Sequence, residues 1–111
     1  MRNSKVRARV AAGKLRLRIR DLRNLGERTE RMLNVIGVDS PQELRRRGPV
    51  RTYFELKRAG VASSLTVLWA LAGALEPWPE GRHWREVARG GERLSLLLAL
   101  EDYERMRART S

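Results

Sequence analysis

Asn24-Leu25-Gly26, followed at once by Glu27 and Arg28, is the stretch of this chain whose residue types could meet a phosphate. A tight turn of the form small residue, apolar residue, glycine can bury its middle side chain. Its backbone N–H groups and the start of the next helix then face an anion. Leu25 is the expected anchor, Gly26 allows close backbone approach, and Arg28, with Arg23 nearby, supplies positive charge. Contacts of that kind hold a duplex against a protein without reading its bases. The competing reading is a turn that only packs, since Asn24 stands where a first glycine is usual and Glu27 would repel a phosphate.

Other chemistry is excluded by inventory. There is no cysteine and His83 is the single histidine, so thiol nucleophiles, disulfide frames, cysteine zinc sites and imidazole clusters are ruled out. Glu101, Asp102 and Glu104 lie among Arg105, Arg107 and Arg109 on an expected helix, where surface ion pairing accounts for them. No glycine-rich phosphate loop with its lysine and no nucleophile with its base is present. The expectation is a chain with no catalytic residue, no metal and no cofactor. Arg82-His83-Trp84-Arg85 combines groups used in acid–base and nucleic-acid chemistry. A lone histidine outside any catalytic constellation reads instead as a hydrogen-bonding support, and Trp84 as a cap on the core.

The elements that must carry these residues are helical from Asp21 onward. Leu25, Met32, Leu33 and Ile36 recur at helical spacing and predict a helix from near Glu27 to Ile36, ended by Gly37. Ser40-Pro41-Gln42-Glu43 combines a capping serine, a proline at the first helical position and a glutamate three residues after the cap. The short helix it opens carries Leu44 and Arg45, Arg46 and Arg47, stops at Gly48, and gives way at Pro49 to another with Val50, Tyr53, Phe54 and Leu56 before Gly60. Ser63 and Ser64 can cap a helix from Leu65 to about Leu75 whose apolar residues cover most of its circumference, so other helices must surround it. Pro77 and Pro79 predict a surface loop over Glu76–Gly81. A last helix, about Gly91 to Arg107, is expected to turn Leu94, Leu97, Leu98 and Met106 inward.

Charge divides the chain differently. The 111 residues hold 24 Lys+Arg against 13 Asp+Glu, a net +11. Residues 1–20 contain eight bases, among them Arg16, Arg18 and Arg20, and no acid, which leaves +3 for residues 21–111. A cationic arm on a near-balanced body meets polyanions such as nucleic acid or an anionic lipid surface. Within the arm, Val6–Val10 and Lys14–Arg20 alternate basic and apolar with period two, which allows a hairpin turning at Gly13. An Arg-rich, acid-free start also resembles a presequence. The longest stretch without a charged residue, Ala59 to Leu75, is 17 residues, short of the roughly 20 that span a bilayer. A cytoplasmic protein without a membrane segment is expected, associated with the nucleoid where DNA is its partner.

The body resembles one family in an ordered series of blocks. They are Leu22, Asn24, Leu25 and Gly26; Ile36-Gly37-Val38; Ser40-Pro41 with Glu43-Leu44-Arg45; and Gly48-Pro49-Val50 with Tyr53 and Leu56-Lys57. They continue through Ala59-Gly60, Ser64 to Leu71, Gly73-Ala74-Leu75 and Gly81 to Arg85. In these the chain is similar to the C-terminal domain of the TfoX/Sxy regulators of natural DNA competence. The resemblance implies an all-α domain of five or six helices related to helix-hairpin-helix folds, over residues 21–111, behind the basic arm of residues 1–20. It implies a non-enzymatic regulator of DNA-uptake genes, working with a transcription factor of the cyclic-AMP receptor type or with RNA polymerase.

Two partner classes follow. In the first, DNA phosphates are met by Arg23, Asn24, Leu25, Gly26 and Arg28, helped by Arg16, Arg18 and Arg20. In the second, a transcription factor or RNA polymerase is bound through the Tyr53 helix and the loop holding Trp78, with no DNA affinity. The arm alone also suggests an RNA-associated protein.

Overall fold

The computed structural model describes residues 17–62, 64–76 and 81–110. The hairpin expected at Gly13 lies outside them, as do Arg16 and Trp78. A 3-10 turn, Ile19–Asp21, is followed by α1 (Glu27–Val35), α2 (Pro41–Arg58), α3 (Leu65–Ala74), α4 (Trp84–Arg89) and α5 (Glu92–Thr110). The fold is all-α, and no strand occurs among the described residues.

Helices begin where the sequence supplies a cap. The Ser40 hydroxyl accepts from the Glu43 N–H at 3.2 Å, with Pro41 in the first turn of α2. The Ser64 hydroxyl accepts from the Thr66 N–H at 3.1 Å, satisfying one of the free donors of a helix start. Between helices the chain reverses at residues with left-handed backbone, Asn24 (φ 71°), Gly37 (φ 82°), Gly60 (φ 77°) and Gly81 (φ 61°). The residue after the reversal then points inward at the first two: Leu25 is 1% exposed and Val38 fully buried.

The predicted break at Gly48 is real, and it is held shut. Gly48 has φ 78° and ψ 168°, and Pro49 restarts the helix, so α2 is two segments joined at a kink. Arg47 clamps that kink. Its Nε donates to Glu43 Oε2 at 2.7 Å, and its Nη1 donates to Glu55 Oε1 at 2.9 Å and to the Ile36 carbonyl at 2.7 Å. Hydrogen bonds from Arg46 and then Arg47 hold the Glu43 carboxyl down to about 2. A depressed carboxylate stabilises the fold fully above its ordinary value near 4.5 and loses that contribution as pH falls toward 2. The melting temperature is therefore expected to fall between pH 4.5 and 2 more steeply in the wild type than in Glu43→Gln. Parallel profiles in calorimetry would refute the clamp.

The core forms where α3 packs on α2 and α4, and α5 closes it against α2 and α4. Leu33, Leu44, Leu56, Leu68, Leu71 and Val87 are fully buried. Two expectations are corrected here. Tyr53 is 1% exposed, so its ring packs the core and offers no surface to a partner; burial also pushes its phenol up. In α5 three of the four residues expected inside are outside, Leu94 being 64%, Leu98 53% and Met106 50% exposed, and only Leu97 packs on the core. The inward register is Leu96, Leu97, Leu100 and Tyr103, with Tyr103 edge-to-face on Phe54 at 5.1 Å. The run from Leu94 to Leu100 is apolar on every side except Ser95, so its period does not select a face.

Candidate nucleic-acid interface

The hairpin is built around Leu25, whose N–H donates to the Leu22 carbonyl at 3.1 Å and whose side chain is buried with Leu22 and Ile19 in the core. Gly26 caps α1 with an extended backbone, and its carbonyl accepts from the Glu30 N–H at 2.9 Å. A Cβ built on Gly26 would meet nothing within 4 Å. The turn is thus anchored on its inner side and open on its outer side.

Asn24 differs from the expectation that it faces a phosphate. Its amide Nδ2 donates to the Arg82 carbonyl at 2.6 Å and to the Ala70 carbonyl at 3.3 Å, and its Oδ1 accepts from the Trp84 N–H at 3.1 Å. The side chain therefore ties the hairpin to α3 and to the start of α4. Asparagine suits the place twice, because it tolerates left-handed backbone and carries both a donor and an acceptor.

The arginines separate into paired and unpaired sets. Arg20 donates to Glu30 Oε1 through Nε at 3.0 Å and Nη2 at 2.7 Å, and its backbone N–H donates to Glu30 Oε2 at 3.1 Å. The side-chain bonds hold the Glu30 carboxyl below its ordinary range. Arg20 also lies 3.5 Å from Glu27, which offsets the acid that follows the hairpin. Ile19 is buried and Arg20 is tied to α1, so these two residues of the basic stretch pack with the body. Arg18 is exposed, 3.7 Å from Glu30. Arg46, Arg47 and Arg51 pair with Glu43 or Glu55, Arg82 with Glu76 and Glu92, and Arg105 with Glu101 and Asp102.

Arg23 and Arg28 have no ion-pair partner among the described residues. The Arg23 side chain lies against Gly81, where an added Cβ would come within 2.9 Å of the arginine Cβ. Arg28 is exposed and lines an open cleft of about 360 Å³ with Thr29, Gly60, Ala62 and Ser64. The structure thus leaves Arg28 exposed and Arg23 partly exposed on either side of Gly26 in the chain, sends Leu25 and Asn24 inward, and engages Arg20 internally. No group of three His, Asp or Glu that could hold a metal occurs among the described residues. No described helix is long and apolar enough to cross a membrane.

Sequence reasoning missed α4, and with it the exposed Arg85 and Arg89. His83 caps that helix, its Nδ1 accepting from the Arg85 N–H at 3.1 Å while Glu86 accepts from the His83 N–H at 3.2 Å. The supporting role expected of His83 is what is seen. The signal was a capping box with histidine in the place of the usual serine or threonine.

Compared with known families, residues 16–100 match the model described as the TfoX C-terminal domain. No curated protein and no solved structure matches the chain.

Proposed function

Because the chain belongs to the TfoX C-terminal domain family, we propose that it is a non-enzymatic, cytoplasmic regulator of natural competence that associates with DNA through backbone phosphates as a transcriptional co-regulator. Family membership supports the competence-related role. The DNA contact rests on one observation. Arg23 and Arg28, which flank Gly26 in the chain, lack ion-pair partners among the described residues, and a Cβ on Gly26 would meet nothing within 4 Å, whereas most arginines nearby are paired. An unpaired surface guanidinium gains by replacing counterions at a phosphate, and backbone N–H groups at a helix start favour the same ligand. Binding of this type is salt-dependent and weakly selective for sequence.

Arg28→Ala, alone and with Arg23→Ala, is expected to weaken binding of the full chain to a labelled duplex. For every phosphate that is no longer neutralised, the slope of log K against log salt should flatten by about 0.9. Fluorescence anisotropy at several salt concentrations reads both quantities, and unchanged affinity and slope in the double variant would remove the hairpin from the interface.

A second reading, docking on a transcription factor of the cyclic-AMP receptor type or on RNA polymerase, draws support from the exposed Leu94 and Leu98 on α5. Tyr53 has no part in it, being buried. Pull-down after nuclease treatment, with Leu94→Ser and Leu98→Ser as controls, separates it from DNA binding.

A further inference from the structure

Trp84, His83, Arg85 and Arg89 form a surface cluster that the duplex reading does not use. The Trp84 and His83 rings stack at 5.5 Å between centroids with 30° between planes, and the Arg85 guanidinium lies 5.3 Å from the Trp84 ring centroid. Both rings are only partly buried, and Arg85 and Arg89 are exposed. Neither arginine has an ion-pair partner among the described residues, and their spacing of four puts them on one side of α4. The nearby carboxylates are engaged elsewhere: Glu86 with the His83 N–H, and Glu76 and Glu92 with Arg82. Trp84 is fixed in place by its backbone, whose N–H donates to Asn24 Oδ1 at 3.1 Å.

A partly exposed indole at the rim of the core, with a cation over it and unneutralised guanidinium groups alongside, matches what a single strand presents, unpaired bases with π-faces and a chain of phosphates. A duplex offers phosphates and base edges but no free π-face, because its bases are stacked on one another. We propose that this cluster is a binding surface for single-stranded nucleic acid, with Trp84 and His83 stacking a base and Arg85 and Arg89 holding the adjoining phosphates. The proposal goes beyond the duplex contact at the hairpin and stands or falls separately from it.

The test titrates the full chain into labelled oligo-dT and oligo-rU of about 15 nucleotides, within the range of single-strand site sizes, and into a duplex of equal length, following anisotropy at several salt concentrations. The Arg85→Ala/Arg89→Ala variant changes exposed side chains only. It is expected to lower oligo-dT affinity and to flatten its salt slope by about 0.7 for each phosphate it no longer neutralises, with little change on the duplex. Trp84→Leu should lose about tenfold on the single strand and Trp84→Phe should retain most of the affinity. Should Trp84→Leu fail to melt cooperatively, the arginine variant decides alone. Equal weakening on oligo-dT and oligo-rU would make the ligand any single strand, and weakening on one would name it. Wild-type oligo-dT and oligo-rU binding by the arginine variant, or equal weakening on single strand and duplex, would overturn the proposal. Arg28→Ala provides the separation, since it should weaken the duplex while leaving oligo-dT bound.

Discussion

Gly73→Ala is expected to destabilise the fold by about 3 kcal/mol, the upper part of the range for forcing extra volume into a packed site. A Cβ at this position would collide with the Arg82 carbonyl oxygen and lie 2.7 Å from Asn24 Nδ2 and 3.2 Å from the Arg82 carbonyl carbon. Two of those three atoms are backbone, and the Arg82 N–H already donates to the Gly73 carbonyl at 2.9 Å, so neither segment can swing aside. For a domain of this size the effect corresponds to a melting temperature lower by roughly 12 °C or more. Thermal or urea melts followed by circular dichroism measure it, and a variant melting within a degree or two of wild type would mean that the α3–α4 connection yields more easily than its geometry says.

The second large effect is expected at Asn24, the other side of the same junction. Asn24→Ala removes three hydrogen bonds, each of about 1 kcal/mol net, and puts alanine into a left-handed backbone at about 1 kcal/mol more; partial rearrangement leaves a destabilisation of about 3 kcal/mol. Asn24→Gly should be milder by about 1 kcal/mol, because it deletes the bonds and keeps the conformation. Equal effects from the two variants would show that the bonds dominate and the backbone is unstrained. Since the Asn24 amide would meet the new methyl of Gly73→Ala, the double variant Asn24→Gly/Gly73→Ala is expected to be destabilised by less than the sum of the single ones.

These two positions show what the sequence alone discloses. Caps, helix starts and glycine reversals are local, so Ser40-Pro41, Ser64, Gly37 and Gly60 are readable from residue type and spacing, and with them most of the all-α frame. Leu25 is readable too, as an apolar residue inside a tight turn. The face turned inward by α5 is not, because a run of leucines has no polar side to contradict a wrong register. Nor is the division of the arginines into engaged and open ones. Arg20 finds Glu30 ten residues on and Arg47 finds Glu55 eight residues on, and only the folded arrangement brings such pairs together. Asn24 carries the same lesson most sharply: its departure from glycine looks like a weakness of the hairpin until its partners at Ala70, Arg82 and Trp84 are seen.

The 60-residue separation between Asn24 and its donor at Trp84 also sets an order of assembly. Contacts that distant in the chain close late, after local helices have formed, and during synthesis the start of a domain emerges well before its end. A nascent chain that has not yet reached residue 84 lacks the amide of Trp84, and one that stops before residue 82 lacks the Arg82 carbonyl as well, so of the three Asn24 bonds only the one to the Ala70 carbonyl can form. The turn with Arg23 and Arg28 is therefore completed by one of the later-made parts of the domain, and a translation product cut short before residue 82 carries that turn with two of its three Asn24 bonds missing.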